Sequence, residues 1–370
     1  MQSGETARAI FSRKVSSPSH IGNKTVDRFV LWNQTSQVSS RWWAQENSIR
    51  RGMADQQKWR GQGTLISRAD SINRALDQVG EKWCLLILQE VFLGINSFGE
   101  MVEAAGVSRG VLSNRLNWLQ SVGCLRKFSD TGPQRKPHYH LTTKSIELYD
   151  SALMAVAWER RFYPTKKSRA LRLTHLACGR EFVAEMRCDC CDAVLESDDV
   201  TYEAGAGASL DHRAIKVWRR SSIRLHRHAE ADRLLLNLVD ILGDRWTANV
   251  VALALCGLRR FDQFLRALPI ATNILTVRLR ALVEEGIFVR SQYSTRPIRY
   301  EYRLTEKGKA LFPWFLTLLH WGDAWCYPDK QGNPLNVIHK TCGHRVHGRV
   351  ACSVCRQPLK AHQVESFAQG

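Results

Sequence analysis

The chain has 370 residues, 44% hydrophobic and 24% charged, the balance of a globular protein with room for two or three domains. Lys and Arg number 53 against 35 Asp and Glu, a formal net charge of +18, and such an excess favours a polyanionic partner, nucleic acid before an acidic membrane. No apolar run approaches the roughly 20 residues of a membrane span and no signal-peptide core is present, so the eleven cysteines are expected as free or metal-bound thiols in the cytoplasm.

Residues 1–69 lack sustained periodicity and read as a disordered or basic extension, with Met53 as an alternative start and Trp42, Trp43 and Trp59 as candidate anchors. From Ser71 the pattern tightens. Ile72, Ala75, Leu76 and Val79 share one helical face, and Gly80 ends it. Trp83 to Phe92 supply a largely buried second helix, and Ser97 to Ala105 a short third. Ser108 stands where an N-cap opens a fourth helix, whose Leu112, Leu116 and Leu119 face the core while Asn114, Arg115 and Asn117 lie towards the other side. After Gly123, Cys124–Phe128 and Tyr139–Leu141 flank a GPQRKP loop as a basic hairpin. One long helix, from Lys144 to about Arg161, closes the unit.

The same unit recurs 163 positions later: Gly80, Trp83, Leu112, Arg115, Leu116 and Gly123 return as Gly243, Trp246, Leu275, Arg278, Leu279 and Gly286. The second copy reads as helices near 232–241, 244–256, 260–267 and 272–285, a hairpin over 287–304 and a final helix over 306–325. A period this long marks a duplicated domain rather than a solenoid. Behind each copy stands His–x2–Cys–x9–Cys–x2–Cys: His175, Cys178, Cys188 and Cys191, then His339, Cys342, Cys352 and Cys355. Such a set suits a tetrahedral His/Cys3 centre, so each tail is expected to hold one structural Zn2+. The competing reading is reduced thiols in a small packed tail, and Cys190 adds a spare thiol. Between the copies YEAGAGAS reads as a flexible link, and RAIKVWRRSSIRLHRH as a basic linker or a helix laid along a DNA backbone.

Helix, short helix, turn, helix and basic hairpin is the order of a winged helix-turn-helix, in which one helix enters the major groove and the hairpin reaches the backbone or minor groove. The hairpins offer Arg126, Lys127, Arg135 and Lys136 in copy one, and Arg290, Arg296, Arg299 and Arg303 in copy two. The runs ALDQVGEKWCLLILQEVFLGINSFGEM, VSRGVLSNRLNWLQSVGCL and HYHLTTKSIELY, with LVDILGDRWTANVVALALCGLRRFDQF, TNILTVRLRALVEEGIFVRSQ and YEYRLTEKGKAL, resemble the HxlR family of bacterial transcription regulators. The resemblance implies sequence-specific binding of double-stranded operator DNA, pairing through terminal helices, and repression more often than activation. Carried over, the recognition helices are Ser108–Val122 and Thr272–Glu285. The DNA-contact candidates are Ser108, Arg109, Asn114 and Arg115, with Thr272, Asn273 and Arg278, and the hairpin residues Lys127, Arg135, Lys136, Arg290, Arg296 and Arg299. Oxidant-sensing members carry a Cys just ahead of the first helix, where this chain has Asp70 and Arg233, so no effector is assigned.

The expected fold is therefore mainly α with small β-hairpins (α+β), two tandem winged helices each followed by a zinc-ribbon-like tail. The expected domains are 1–69 (extension), 70–164 (first winged helix), 165–203 (first tail), 204–230 (linker), 231–328 (second winged helix) and 329–370 (second tail). No phosphate loop, His–Glu–x–x–His or Gly–x–Ser–x–Gly is present, so an enzyme and an organic cofactor are not expected. The leading expectation is a regulator whose two copies act as an intramolecular pseudo-dimer, open to further homodimerisation. The alternative is a ligand- or partner-binding regulator in which one copy has lost DNA contact.

Overall fold

The computed structural model describes residues 67–69, 71–129, 137–164, 171–211, 235–326 and 332–368; the GPQRKP loop except for Pro137, and the basic linker segment, lie outside them. Copy one runs β1 (Ser67–Ala69), α1 (Ser71–Val79), α2 (Lys82–Phe92), α3 (Phe98–Ala105), α4 (Arg109–Ser121), β2 (Leu125–Ser129), β3 (Pro137–Leu141), α5 (Thr143–Ile146) and α6 (Tyr149–Phe162). Each of the middle helices starts on a side chain that satisfies otherwise orphaned amides. Glu81 accepts from the amides of Trp83 and Cys84, Ser97 from Glu100, and Ser108 from Val111. Leu86, Ile87, Met101, Leu112, Leu116 and Leu119 are fully buried where these helices meet.

The single closing helix expected over 144–161 is two. Thr142 and Ser145 form a reciprocal capping box, and the Ser145 hydroxyl donates to the Cys124 carbonyl at 2.6 Å. That first turn is thereby anchored to the hairpin base, and α6 restarts at Tyr149. Copy two repeats the break: α7 (Leu236–Leu242), α8 (Arg245–Leu255), α9 (Phe261–Ala267), α10 (Thr272–Glu284), a hairpin of β9 (Phe288–Thr295) and β10 (Ile298–Leu304), then α11 (Glu306–Lys309) and α12 (Phe312–Trp325).

The copies pack on each other through reciprocal contacts. Trp158 Nε1 donates to the Lys307 carbonyl at 3.0 Å, and its repeat partner Trp321 donates to the Lys144 carbonyl at 2.7 Å. Arg245 pairs with Asp77 across the same seam. Glu159 of α6 accepts from the amides of Asn237 and Leu238 and from the Asn237 side chain, capping the start of α7. On the related side Gly322 of α12 lies so close to α1 that a Cβ there would stand 2.1 Å from the Ser71 carbonyl oxygen. Only glycine permits that approach.

The tails interlock. β4 (Leu171–His175) pairs with β13 (Val364–Ala368), β7 (Val200–Ala204) with β11 (Leu335–His339), and β6 (Ala184–Arg187) with β12 (Arg349–Cys352), all antiparallel. Each of these three pairs joins the first tail to the second; within the first tail β4 also pairs with the two-residue β5 (Arg180–Glu181). The stretch read as a flexible link, YEAGAGAS, is ordered instead. Tyr202, Glu203 and Ala204 finish β7, and Gly205 donates its amide to the Pro334 carbonyl at 2.9 Å. A Cβ on Gly205 would overlap the Asn333 carbonyl, so its glycine serves close packing rather than freedom. β8 (Ser209–Asp211) then pairs with β1.

Candidate DNA-reading faces and metal clusters

Burying Leu112, Leu116 and Leu119 against α2 and α3 leaves the opposite face of α4 in solvent. Ser108, Arg109, Gly110, Ser113, Asn114 and Asn117 are all exposed. On α10 the corresponding face carries Ala271, Thr272, Asn273, Thr276, Val277 and Arg280, also exposed. The sequence-derived candidates Ser108, Arg109, Asn114, Thr272 and Asn273 thus lie on open helix faces. Ser113, Thr276 and Val277 were not singled out, although each lies three or four residues from a candidate and shares its face; Arg280 lies one turn further on, four residues from Thr276.

Two candidates turn the other way, which corrects the expectation that they touch DNA. Arg115 Nε and Nη2 donate to Glu81 at 2.8 and 3.2 Å, and the Arg115 side chain is only 9% exposed. Arg278 does the same with Asp244, both bonds at 2.8 Å. Glu81 and Asp244 each also cap the second helix of their copy. One carboxylate therefore fixes the start of one helix and clamps the next in a bidentate pair. The readable signal was present in both copies: an acid straight after Gly80 and Gly243, 34 residues ahead of the arginine.

On the hairpins Lys127 of β2 and Arg296 and Arg299 at the β9–β10 end are exposed. Arg290 is exposed too, but its guanidinium sits 3.5 Å from the centre of the Tyr300 ring, a cation–π stack. Arg303 pairs with Glu301. Arg135 and Lys136 lie outside the described residues. The second hairpin also exposes Val289 and Ile298, the latter at 63%.

The His and Cys side chains of the tails converge, in a partition that the repeat does not suggest. His175 and Cys178 of the first tail meet Cys352 and Cys355 of the second; Cys188 and Cys191 of the first meet His339 and Cys342 of the second. Every expected ligand is used, but each set is assembled across the two tails, not within one. In the first set His175 Nδ1 lies 3.2 Å from Cys355 Sγ and 3.7 Å from Cys178 Sγ, with Cys178 and Cys352 sulfurs 4.0 Å apart. In the second, His339 Nδ1 lies 3.3 Å from Cys342 Sγ and 3.4 Å from Cys191 Sγ, with Cys188 and Cys342 sulfurs 3.8 Å apart. A tetrahedron with Zn–S near 2.3 Å and Zn–N near 2.05 Å has edges of about 3.8 Å (S–S) and 3.6 Å (S–N). The donor sets fit that geometry. His175 and His339 are fully buried, as structural ligands usually are. Cys190 and His344 flank Cys342 at the exposed rim of the second set.

The remaining thiols are of a different kind. Burial pushes the Cys84 thiol well above its ordinary range and the Cys124 thiol up to about 11. Both are therefore protonated core residues rather than nucleophiles, in keeping with the missing cysteine ahead of the first helix.

Comparison with known proteins adds the lineage. The profile described as HxlR-like helix-turn-helix matches residues 78–167 and again 241–330. An uncharacterized HTH-type transcriptional regulator of Mycobacterium tuberculosis is 41% identical over 126 residues, 34% of this chain and 79% of its own. YvaP of Bacillus subtilis, an uncharacterized HTH-type transcriptional regulator, is 41% identical over 92 residues, 25% of this chain and 85% of its own. The HTH-type transcriptional regulator YodB of the same species is 33% identical over 89 residues, 24% of this chain and 80% of its own. Each relative is thus nearly spanned by a stretch shorter than the 163-residue repeat, whereas this chain carries two copies of the domain. With both profile matches falling on the two helix–helix–hairpin units, this chain belongs to the HxlR-like helix-turn-helix family.

Proposed function

We propose that this protein is a cytoplasmic, sequence-specific DNA-binding transcriptional regulator whose two winged helices read one operator as an intramolecular pair. The observation that carries this reading is the pair of solvent-facing polar surfaces on α4 and α10, each held from behind by a carboxylate–guanidinium clamp. Those surfaces differ at every compared position: Arg109, Gly110, Ser113, Asn114 and Asn117 answer to Thr272, Asn273, Thr276, Val277 and Arg280. Two unequal reading faces call for two unequal half-sites, so the operator is asymmetric. Lys127, Arg296 and Arg299 add phosphate contacts, as do Arg135 and Lys136. Repression rests on the family resemblance alone, and its test is a reporter that rises when the gene is deleted.

Selection of bound sequences from random DNA, followed by gel shifts at several salt concentrations, tests the reading. A specific complex should survive excess competitor, with log affinity falling by about 0.9 per phosphate neutralised for each decade of salt. Weak binding equal for all sequences would overturn it. A second reading draws support from the apolar residues exposed on copy two, Val277, Val289 and Ile298: copy two has turned from DNA to a partner protein. In that case the selected motif spans one half-site, and T272A/R280A leaves affinity unchanged.

The metal clusters belong to the same proposal. We assign each a structural Zn2+, since four protein ligands leave no position for reacting water. Bound zinc would supply a cross-link between the tails, and the six thiolates and two buried imidazoles of the two clusters would hold it only when both tails are folded together.

A further inference from the structure

A cavity of about 150 Å³ lies between the copies and beneath the tails. Its walls come from α2 (Leu88, Gln89, Phe92), α6 (Ala152, Ala155), α7 (Leu238) and α12 (Trp314, Leu318), with Leu173 of β4 at one side. The lining is almost wholly hydrocarbon. Its polar side chains are Gln89, Tyr149, Ser151 and Ser366; among them Gln89 Oε1 is shielded from solvent and accepts no hydrogen bond among the described residues. An amide oxygen buried without a donor forgoes the hydrogen bonds that it makes in water, so this atom is a poor choice for a merely structural wall.

The repeat gives a comparison within the same molecule. At the equivalent positions of copy two, Phe315 stands for Ala152, Leu318 for Ala155, Leu319 for Val156, Ala252 for Gln89 and Phe312 for Tyr149. Phe315 is only 2% exposed and fills its site. Copy two has thus large side chains and no polar handle where copy one has small side chains and an acceptor. The space in copy one follows from specific residues, not from a general looseness of packing.

We propose that this cavity is a binding site for a small, neutral, mainly apolar ring compound carrying one hydrogen-bond donor. The volume fits a molecule of benzene to bicyclic size, and an apolar cavity of this size is poorly wetted and open to such a guest. The donor, an O–H or N–H, answers Gln89 Oε1. Because α2, α6, α7, α12 and β4 all touch the space, an occupant contacts both copies and a tail at once. A ligand that prefers one arrangement of the copies must shift DNA affinity by the same factor that DNA shifts its own. This coupling rests on the DNA-binding reading, whereas occupancy of the cavity does not.

The test uses indole and its hydrocarbon counterpart indene as probes, titrated into the full-length protein by calorimetry and by ligand-observed NMR. Saturable binding is expected for both, with indole tighter by about 2- to 10-fold, the worth of one hydrogen bond. Gln89→Leu should erase that preference. Ala152→Phe, which installs the copy-two residue, should abolish binding and raise the melting temperature; Ala152→Leu serves the same end should phenylalanine overpack the site. Absence of saturable indole binding in the wild-type protein, or binding unchanged in folded Ala152→Leu, overturns the proposal. Gel shifts with and without indole are read separately, so failure of the cavity and failure of the regulator reading remain distinguishable.

Discussion

At the scale of single residues, the arginines of the reading helices divide into two jobs. Arg115 and Arg278 face inward onto carboxylates that also cap a helix, and Arg109 and Arg280 face solvent. Removing Arg115 leaves Glu81 with its burial and without its partner, so Arg115→Ala should cost roughly 3 kcal/mol in urea unfolding. The more exposed Arg278 pair, 18% and 33% exposed, should cost nearer 1 kcal/mol after solvent screening. Arg109→Ala with Asn114→Ala should do the reverse, lowering operator affinity by about 1–3 kcal/mol per lost base contact with stability unchanged. The leucine spacing placed Arg115 on the side of the helix away from the core, whereas its side chain turns inward onto Glu81. Direction depends on a partner 34 residues away, which periodicity does not report.

His320 of α12 offers a separate residue-scale test. Burial, with a smaller push from His347, lowers its pKa from 6.5 to about 4. A base depressed in the folded state is stabilising when neutral, so its contribution is intact above about pH 6.5 and is lost as pH falls towards 4. At 1.36 kcal/mol per unit, the loss amounts to no more than about 3 kcal/mol. His320→Gln should flatten the pH dependence of unfolding in that window relative to the wild-type protein at equal metal content.

At the scale of elements, helices and hairpins were legible because their signals are local. Leucine spacing, Ser108 at an N-cap, and Gly123 before a strand set α1 to α4 and both hairpins within a few residues of their observed ends. Two features were not. The closing helix broke where Thr142, like Thr305 in copy two, ties its start to the carbonyls at the hairpin base. The tails were read as separate because their ligands repeat with identical spacing, yet repetition is equally compatible with exchange between copies, and strand pairing decided for exchange. Metal stoichiometry distinguishes the two arrangements. With clusters shared across tails, Cys178→Ser with Cys352→Ser damages one cluster and should leave one metal per chain. Cys178→Ser with Cys188→Ser damages both and should leave none. Clusters confined to each tail would give the opposite result in elemental analysis.

At the scale of the whole molecule, the duplication is a physical pairing as well as a sequence one. Trp158 and Trp321 each reach the other copy's Lys carbonyl, and three strand pairs bridge the tails. Covalent continuity is thus not the only link. A protease site placed between residues 212 and 234 should yield two fragments that co-elute after cleavage, and that separate once a chelator removes metal. Separation without chelator would mean that the tryptophans and tail strands contribute little. The same seam contains the cavity beside Gln89.

The interlocked tails also order events in time. His175 and Cys178 leave the ribosome about 175 residues before the cysteines that complete their cluster, Cys352 and Cys355. At a synthesis rate of roughly 5–20 residues per second, the early ligands wait on the order of ten seconds or more with their sulfurs unshared. Neither cluster can close on the first copy alone. A message cut short after the first tail therefore encodes α4 without the strands that pair with that tail, and neither Cys/His cluster can assemble until the second tail has been made.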